Sequence, residues 1–278
     1  MKRLQKSLAV FLAALLLFSV AAFSGTAQGV QKNYVVLGDS IGWGAGVLNH
    51  DDACFGRIVA DTNGYRFTNL AHNGDRSENL LEKLQRSSVS EAVGAADIIS
   101  ISIGGNDFLT SNLPLLVLEG TFGQYKRFNT IGAAYRANFE KIIERILTLN
   151  PDVQILMQTL YNPGNFLVRK AYQQATNRIN GTIREYLDAH PGAYAIVDVA
   201  AAFGSNMSYI AADSIHPSAK GNVKIAELTL QKLYELGLGA QTAPVVQHEG
   251  IDQVSFSATG IRGHFQLIFK AIRRMFGA

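Results

Sequence analysis

From Tyr34 onward the chain alternates short apolar runs with longer amphipathic segments, and this rhythm constrains the fold more than any other feature. The runs are YVVLG (34–38), RFTNLA (66–71), DIISISIG (97–104), VQILMQTL (153–160) and YAIVDVA (194–200). Several are apolar at consecutive positions, as strands are when helices cover both faces of a sheet. Helical patterns fill the intervals at about 52–63, 77–87, 132–149, 168–189 and 217–236. The prolines of Asn150-Pro151 and His190-Pro191 end the helices ahead of the fourth and fifth strands. Strand and helix repeated in this way predict an α/β protein, a three-layer α/β/α sandwich on a five-stranded parallel sheet. In such a sheet, ligands bind outside the carboxyl ends of the strands.

Two segments break the rhythm. Residues 109–131 form an apolar insert after the third strand, with Pro114 expected to break it early. After Gly239 comes a linker-like stretch, AQTAPVVQHEG, and then a terminal segment, 261–276. At the other end, Lys2, Arg3 and Lys6 precede an 11-residue apolar run from Leu8 to Phe18, with small residues continuing to Ala27. That run is shorter than the roughly 20 residues needed to span a bilayer, and the pattern is that of a cleavable secretory signal. Cleavage is expected after Ala27, with Ala22 as the alternative. The expected organisation is therefore a signal over 1–27, a folded domain over 28–238, and a linker with a tail helix over 239–278.

Without its three leading cations, the chain has 22 basic residues against 22 acidic ones. A neutral exported protein has no global field to attract nucleic acid, so no nucleic-acid partner is expected. Cys54 carries the sole thiol, which precludes an intrachain disulfide, and it reads as a packing residue.

Three strand ends carry candidate chemistry. The first ends in Gly38-Asp39-Ser40-Ile41-Gly42, a tight turn able to expose the hydroxyl of Ser40. The third ends in Gly104-Gly105-Asn106-Asp107, where Asn106 offers an amide donor of the kind that stabilises an oxyanion. After the fifth comes Asp213-Ser214-Ile215-His216-Pro217, in which a carboxylate three residues before His216 is able to hold its ring. Gly74, beyond the second strand, supplies a possible backbone donor. Taken singly, the first two motifs also read as turn and capping chemistry; together with the third, at one sheet edge, they point to nucleophilic catalysis. Asp39 and Asp107 read as loop-holding residues, and the remaining five histidines as solvated or structural.

The blocks GDSI (38–41), Gly74, GGND (104–107) and DSIHP (213–217) resemble, in order, the four blocks of the SGNH or GDSL-like hydrolase superfamily. The resemblance spans roughly residues 33–236 and implies a flavodoxin-like SGNH hydrolase domain. It implies Ser40 as nucleophile, His216 as general base and Asp213 as its orienting acid, with the backbone N–H of Ser40, Gly74 and Asn106 forming the oxyanion hole. Neither a metal nor an organic cofactor is implied. Ile41 departs from the Leu of the family name, a conservative swap.

The chain also generally resembles secreted GDSL-like lipases of Bacillus-type bacteria, including the spore-germination kind. The insert, with Leu113, Leu115, Leu116, Val117 and Leu118, reads either as the wall or lid of an acyl groove or as core packing. In the terminal segment Ile261, Phe265, Ile268, Phe269, Ile272 and Phe276 form one stripe alongside Arg262, Lys270, Arg273 and Arg274. That pattern suits a helix on an anionic membrane as well as one packed on its own domain. The expected substrate is a lipid ester: a lysophospholipid, phospholipid or acylglycerol. A carbohydrate O-acetylesterase is the alternative within the superfamily, and a non-catalytic binder of envelope lipid or glycan is the alternative outside it. The expected location is extracytoplasmic, free or envelope- or spore-associated.

Overall fold

The structure, a computed structural model, describes residues 31–164 and 168–253. In chain order the elements are β1 (Asn33–Gly38), α1 (Ser40–Trp43), α2 (His50–Ala53), α3 (Phe55–Asn63), β2 (Arg66–Asn69), α4 (Ser77–Lys83) and α5 (Ser87–Gly94). Then come β3 (Ile98–Ser102), α6 (Gly105–Leu109), α7 (Leu113–Thr121), α8 (Lys126–Leu149), β4 (Gln154–Gln158) and α9 (Arg169–Ala189). The series closes with β5 (Ala195–Val197), α10 (Val199–Phe203), a single 3-10 turn (Met207–Tyr209) and α11 (Ala219–Glu235). The five strands run parallel in the order β2-β1-β3-β4-β5. This is the expected doubly wound sheet, and its order reverses beside β1.

Alternation along the strands sorts the core into two layers. Val35, Leu37, Ile99, Ile101, Ile155 and Met157 face α4, α5, α8 and α9, where Leu80, Leu84, Val93, Phe139, Ile142 and Ile183 cover them. Tyr34, Val36, Ile98, Leu156 and Val197 face α3, α10 and α11, where Phe55, Val59, Phe203, Ile225 and Leu230 cover them. Burial on both faces is why these strands read as unbroken apolar runs. Polar exceptions on the second face include Ser100 and Ser102, both fully buried, and Gln158. Ser100 accepts a hydrogen bond from the Tyr34 hydroxyl at 2.8 Å, and Ser102 belongs to the site described below.

Several boundaries differ from the sequence reading, each for a local reason. The fifth run stops at Val197 because the Asp198 side chain accepts from Ala201 N at 3.3 Å and starts α10. Pro114 does not break the insert; it stands in the first turn of α7, where a missing N–H costs nothing. Cys54 is buried, and burial raises its thiol pKa. The linker-like stretch also has contacts along the domain. Val245 N donates to Thr62 Oγ1 at 2.9 Å, Asp252 bridges to Val47, and Asp252 Oδ1 accepts from Ala219 N at 2.6 Å at the start of α11. The signal and the amphipathic tail helix lie outside the described residues.

Candidate active site

The Ser40 turn follows from β1–β3 pairing. The register places Gly38 opposite Ser102, so close that a Cβ on Gly38 would lie 1.9 Å from the Ser102 carbonyl oxygen. With φ at +118° as well, only glycine suits this position. Asp39 then donates its N–H to Ser102 O at 2.9 Å, and its side chain caps α1 by accepting from Ile41 N at 3.0 Å. The same oxygen accepts from the Ser102 hydroxyl at 3.0 Å, while Ser102 Oγ accepts from Gly42 N at 3.0 Å. Ser40 is thereby fixed as the first residue of a one-turn helix beyond the sheet edge.

The His216 loop is tied by its own carboxylate. Asp213 Oδ1 accepts from the N–H groups of Ile215 at 2.9 Å and His216 at 3.0 Å, and Ser214 takes φ of +62° to close the turn. Asp213 Oδ2 stands 2.6 Å from His216 Nδ1, and His216 Nε2 stands 2.8 Å from Ser40 Oγ. Burial would raise the Asp213 pKa, but the hydrogen bond to the His216 ring and the two backbone donors outweigh it and hold it at about 2. The carboxylate is therefore ionised at neutral pH, and the imidazole carries its proton on Nδ1, leaving Nε2 to accept the Ser40 proton. Hydroxyl, imidazole and carboxylate form one chain along which a proton can move from Ser40 to His216 while Asp213 supports the positive ring.

Asn106 lies in the first turn of α6 and donates from Nδ2 to Asp75 O at 2.9 Å. Asp107 accepts from Ser77 N at 2.9 Å and from Ser77 Oγ at 2.5 Å, and Asn138 braces Ser77 at 3.0 Å. Asp75 and Ser77, missed in the sequence, thus lock the loop after β2 to the loop after β3. Gly74 sits in that loop, exposed, with φ of +90°. The structure brings Ser40, Asp213, His216 and Asn106 together; Gly74 is not among the cleft-lining residues and is tied in through its neighbour Asp75. Asp39 is buried beside Ser40, and that burial raises its carboxyl to about 7 against the opposing pull of the Ile41 and Ser102 donors. His72 has a carboxylate three residues on, Asp75 at 3.4 Å, but its side chain is largely exposed. His50 instead stacks on Trp43, ring centroids 3.7 Å apart.

A cleft of about 70 Å³ starts at Ser40, Asn106 and His216 and runs between apolar side chains. The insert and its flanks supply Phe108, Leu109, Leu113, Leu116 and Phe128; the loop after β4 supplies Leu160, Tyr161 and Pro163; α9 supplies Ala171, Ala175 and Ile179. Of the insert's five apolar candidates, Leu113 and Leu116 line the cleft. The α9 contribution went unread in the sequence, although Ala171, Ala175 and Ile179 recur every four residues, the signature of one helix face.

Fold and site together define a parallel-sheet hydrolase whose hydroxyl comes from the turn after β1 and whose imidazole and carboxylate come from the loop between the 3-10 turn and α11. The family model described as GDSL-like Lipase/Acylhydrolase matches residues 36–224, and the chain belongs to that family; it is a carboxylic ester hydrolase. The uncharacterized protein YpmR of Bacillus subtilis (strain 168) is 29% identical over 181 residues, 61% of this chain and 67% of that one. Among solved structures, the lipase Lip_vut3 from a goat rumen metagenome aligns with a TM-score of 0.60 at 23% identity, covering 74% of this chain and 97% of that one. Phospholipase A1 from Streptomyces albidoflavus NA297 aligns with a TM-score of 0.57 at 22% identity, covering 73% and 98%. At these identities the structural likenesses concern the fold.

Proposed function

We propose that the protein is an exported serine hydrolase of lipid esters, working through an acyl-enzyme on Ser40. The Ser40 hydroxyl attacks the ester carbonyl carbon as its proton passes to His216 Nε2. Asp213, ionised and hydrogen-bonded to Nδ1, steadies the imidazolium. The carbonyl oxygen, now anionic, is met by the N–H of Ser40 and the side-chain amide of Asn106, with the N–H of Gly74 the third donor that the family resemblance implies. His216 gives its proton to the departing alkoxide oxygen, so the alcohol leaves neutral. Water, deprotonated by the same imidazole, then attacks the acyl carbon, releases the carboxylic acid and returns Ser40 to its hydroxyl form.

The observation that carries the lipid reading is the apolar cleft opening directly at Ser40 and His216. An acyl chain placed there exchanges water for Phe108, Leu116 and Phe128 at roughly 0.8 kcal/mol per buried CH₂, whereas a sugar would meet few polar partners beyond the reacting groups. The sole Trp, Trp43, stacks on His50 and is not among the cleft-lining residues, so the cleft offers no indole to a sugar ring. The basic and apolar pattern at the N-terminus supports export. The test is hydrolysis of p-nitrophenyl esters from acetyl to palmitoyl by wild-type protein beside Ser40→Ala. Ser40-dependent turnover rising with chain length is expected, and turnover confined to acetyl would overturn the lipid reading.

A further inference from the structure

We propose that α7 docks the protein on an anionic lipid surface, its outer face entering the lipid while its inner face walls the cleft. This rests on the lipid-ester reading of the site. A surface helix of a globular domain ordinarily turns charged and polar residues outward. The helix LPLLVLEGT does not: Leu116 is 1% exposed and lines the cleft, yet Leu118 is 44% exposed and Phe122, at the cap, 72%. At about 100° per residue, positions 113, 116 and 120 share one side, and 118 and 122 share the opposite one. A soluble docking-free helix gains nothing from Phe122 in water, whereas an acyl layer would bury it.

Charge on the helices beside α7 selects the kind of surface. Gly120 packs on the Ala171 backbone, where a Cβ would lie 3.4 Å from Ala171 N and Cα, so the first turn of α9 flanks α7. That turn presents exposed Arg169 and Lys170, and exposed Lys126 opens α8 directly after α7. The acidic residue of α7, Glu119, is neutralised by Arg127 at 2.9 Å. Exposed apolar residues on α7, with exposed cations at the starts of the neighbouring helices, suit an anionic headgroup layer over an acyl interior. Because the same helix walls the cleft, a docked molecule would receive its ester from the layer without that chain crossing open water.

The experiment uses the full chain carrying Ser40→Ala, floated with phosphatidylglycerol–phosphatidylcholine vesicles and with pure phosphatidylcholine vesicles. Adding Leu118→Asp and Phe122→Asp is expected to lower partitioning onto the anionic vesicles at least about tenfold. Adding Lys126→Gln, Arg169→Gln and Lys170→Gln instead is expected to erase the preference for anionic over neutral vesicles. In the active background, the aspartate pair should leave hydrolysis of dissolved p-nitrophenyl acetate unchanged, which doubles as the folding control, and depress hydrolysis of vesicle lipid. Partitioning unaltered by the aspartate pair, or flotation with neither vesicle, would overturn docking through α7. Vesicle binding that depends on Leu118 and Phe122 without any lipid hydrolysis would instead leave docking standing and defeat the lipid-ester reading.

Discussion

At one end of the cleft, Ser40, His216 and Asp213 hold one another at 2.8 and 2.6 Å, and further hydrogen bonds fix the loops that carry them. At the other end, Phe108, Leu116 and Phe128 present carbon surface from α6, α7 and α8, three elements with no hydrogen-bonded register between these side chains. The first end depends on direction, since a hydrogen bond weakens steeply as it bends or lengthens. The second depends on volume, since apolar contact is non-directional and cores tolerate swaps that preserve size. Reaction and selectivity are thus separable by mutation: damage to the polar end should strike every ester equally, and damage to the apolar end should sort esters by chain length.

The largest expected effect is at the polar end. Ser40→Ala should lower turnover by on the order of 10⁵–10⁶ on acetyl and palmitoyl esters alike, and Asp213→Asn by roughly 10³–10⁴ through loss of the correct tautomer. Residual turnover in Ser40→Ala that varied with chain length would break the separation. Asn106→Ala should cost about 10²–10³ in turnover across the same series. Because Asn106 also holds Asp75 O, its thermal midpoint belongs beside the rate. A collapse in stability with a lesser loss of rate would recast it as a loop tie. At the apolar end, Leu116→Trp should lower palmitoyl ester turnover roughly tenfold or more while leaving acetyl near wild type, the scale on which hydrophobic pockets discriminate methylenes. An equal loss on both esters would show that the two ends are mechanically coupled.

The same contrast explains what the sequence disclosed. Asp213 and His216 lie three residues apart on one turn, and Ser40 is framed by Gly38 and Gly42, so the polar end is assembled within motifs and visible as such. The sheet was legible for a related reason: burial on both faces leaves a largely apolar signature along the central strands β1, β3 and β4. Local chemistry also dictated the misread boundaries, with Asp198 able to cap and Pro114 able to begin a helix as readily as end one. The cleft wall was harder. Phe108, Leu160 and Ala175 meet only once the β3–β4 crossover has formed and α9 has packed back on it, and an apolar residue facing a cleft has the same sequence signature as one facing the core. Asp75 and Ser77 were hidden where the loop after β2 enters α4, and their partners, Asn106 and Asp107, are some 30 positions away.

The smallest expected effect concerns Asp39, which borders both ends: it caps the turn of Ser40 and lines the cleft. Burial raises its carboxyl from 3.8 to about 7; the donors from Ile41 and Ser102 and the nearby His216 pull the other way, while Asp107 adds to the rise. Between these two values the folded protein keeps a proton that the unfolded chain has released. The stabilisation linked to that proton is therefore complete below about pH 4 and lost as pH rises through about 7. Asp39→Asn retains an oxygen to accept from Ile41 N and Ser102 Oγ but removes the titration. Thermal midpoints measured from about pH 4 to about pH 8 should then show wild type losing several degrees relative to the variant toward the alkaline end. Parallel curves would mean that Asp39 ionises as freely when folded as when unfolded, and that the polar end of the cleft is wetter than its burial implies.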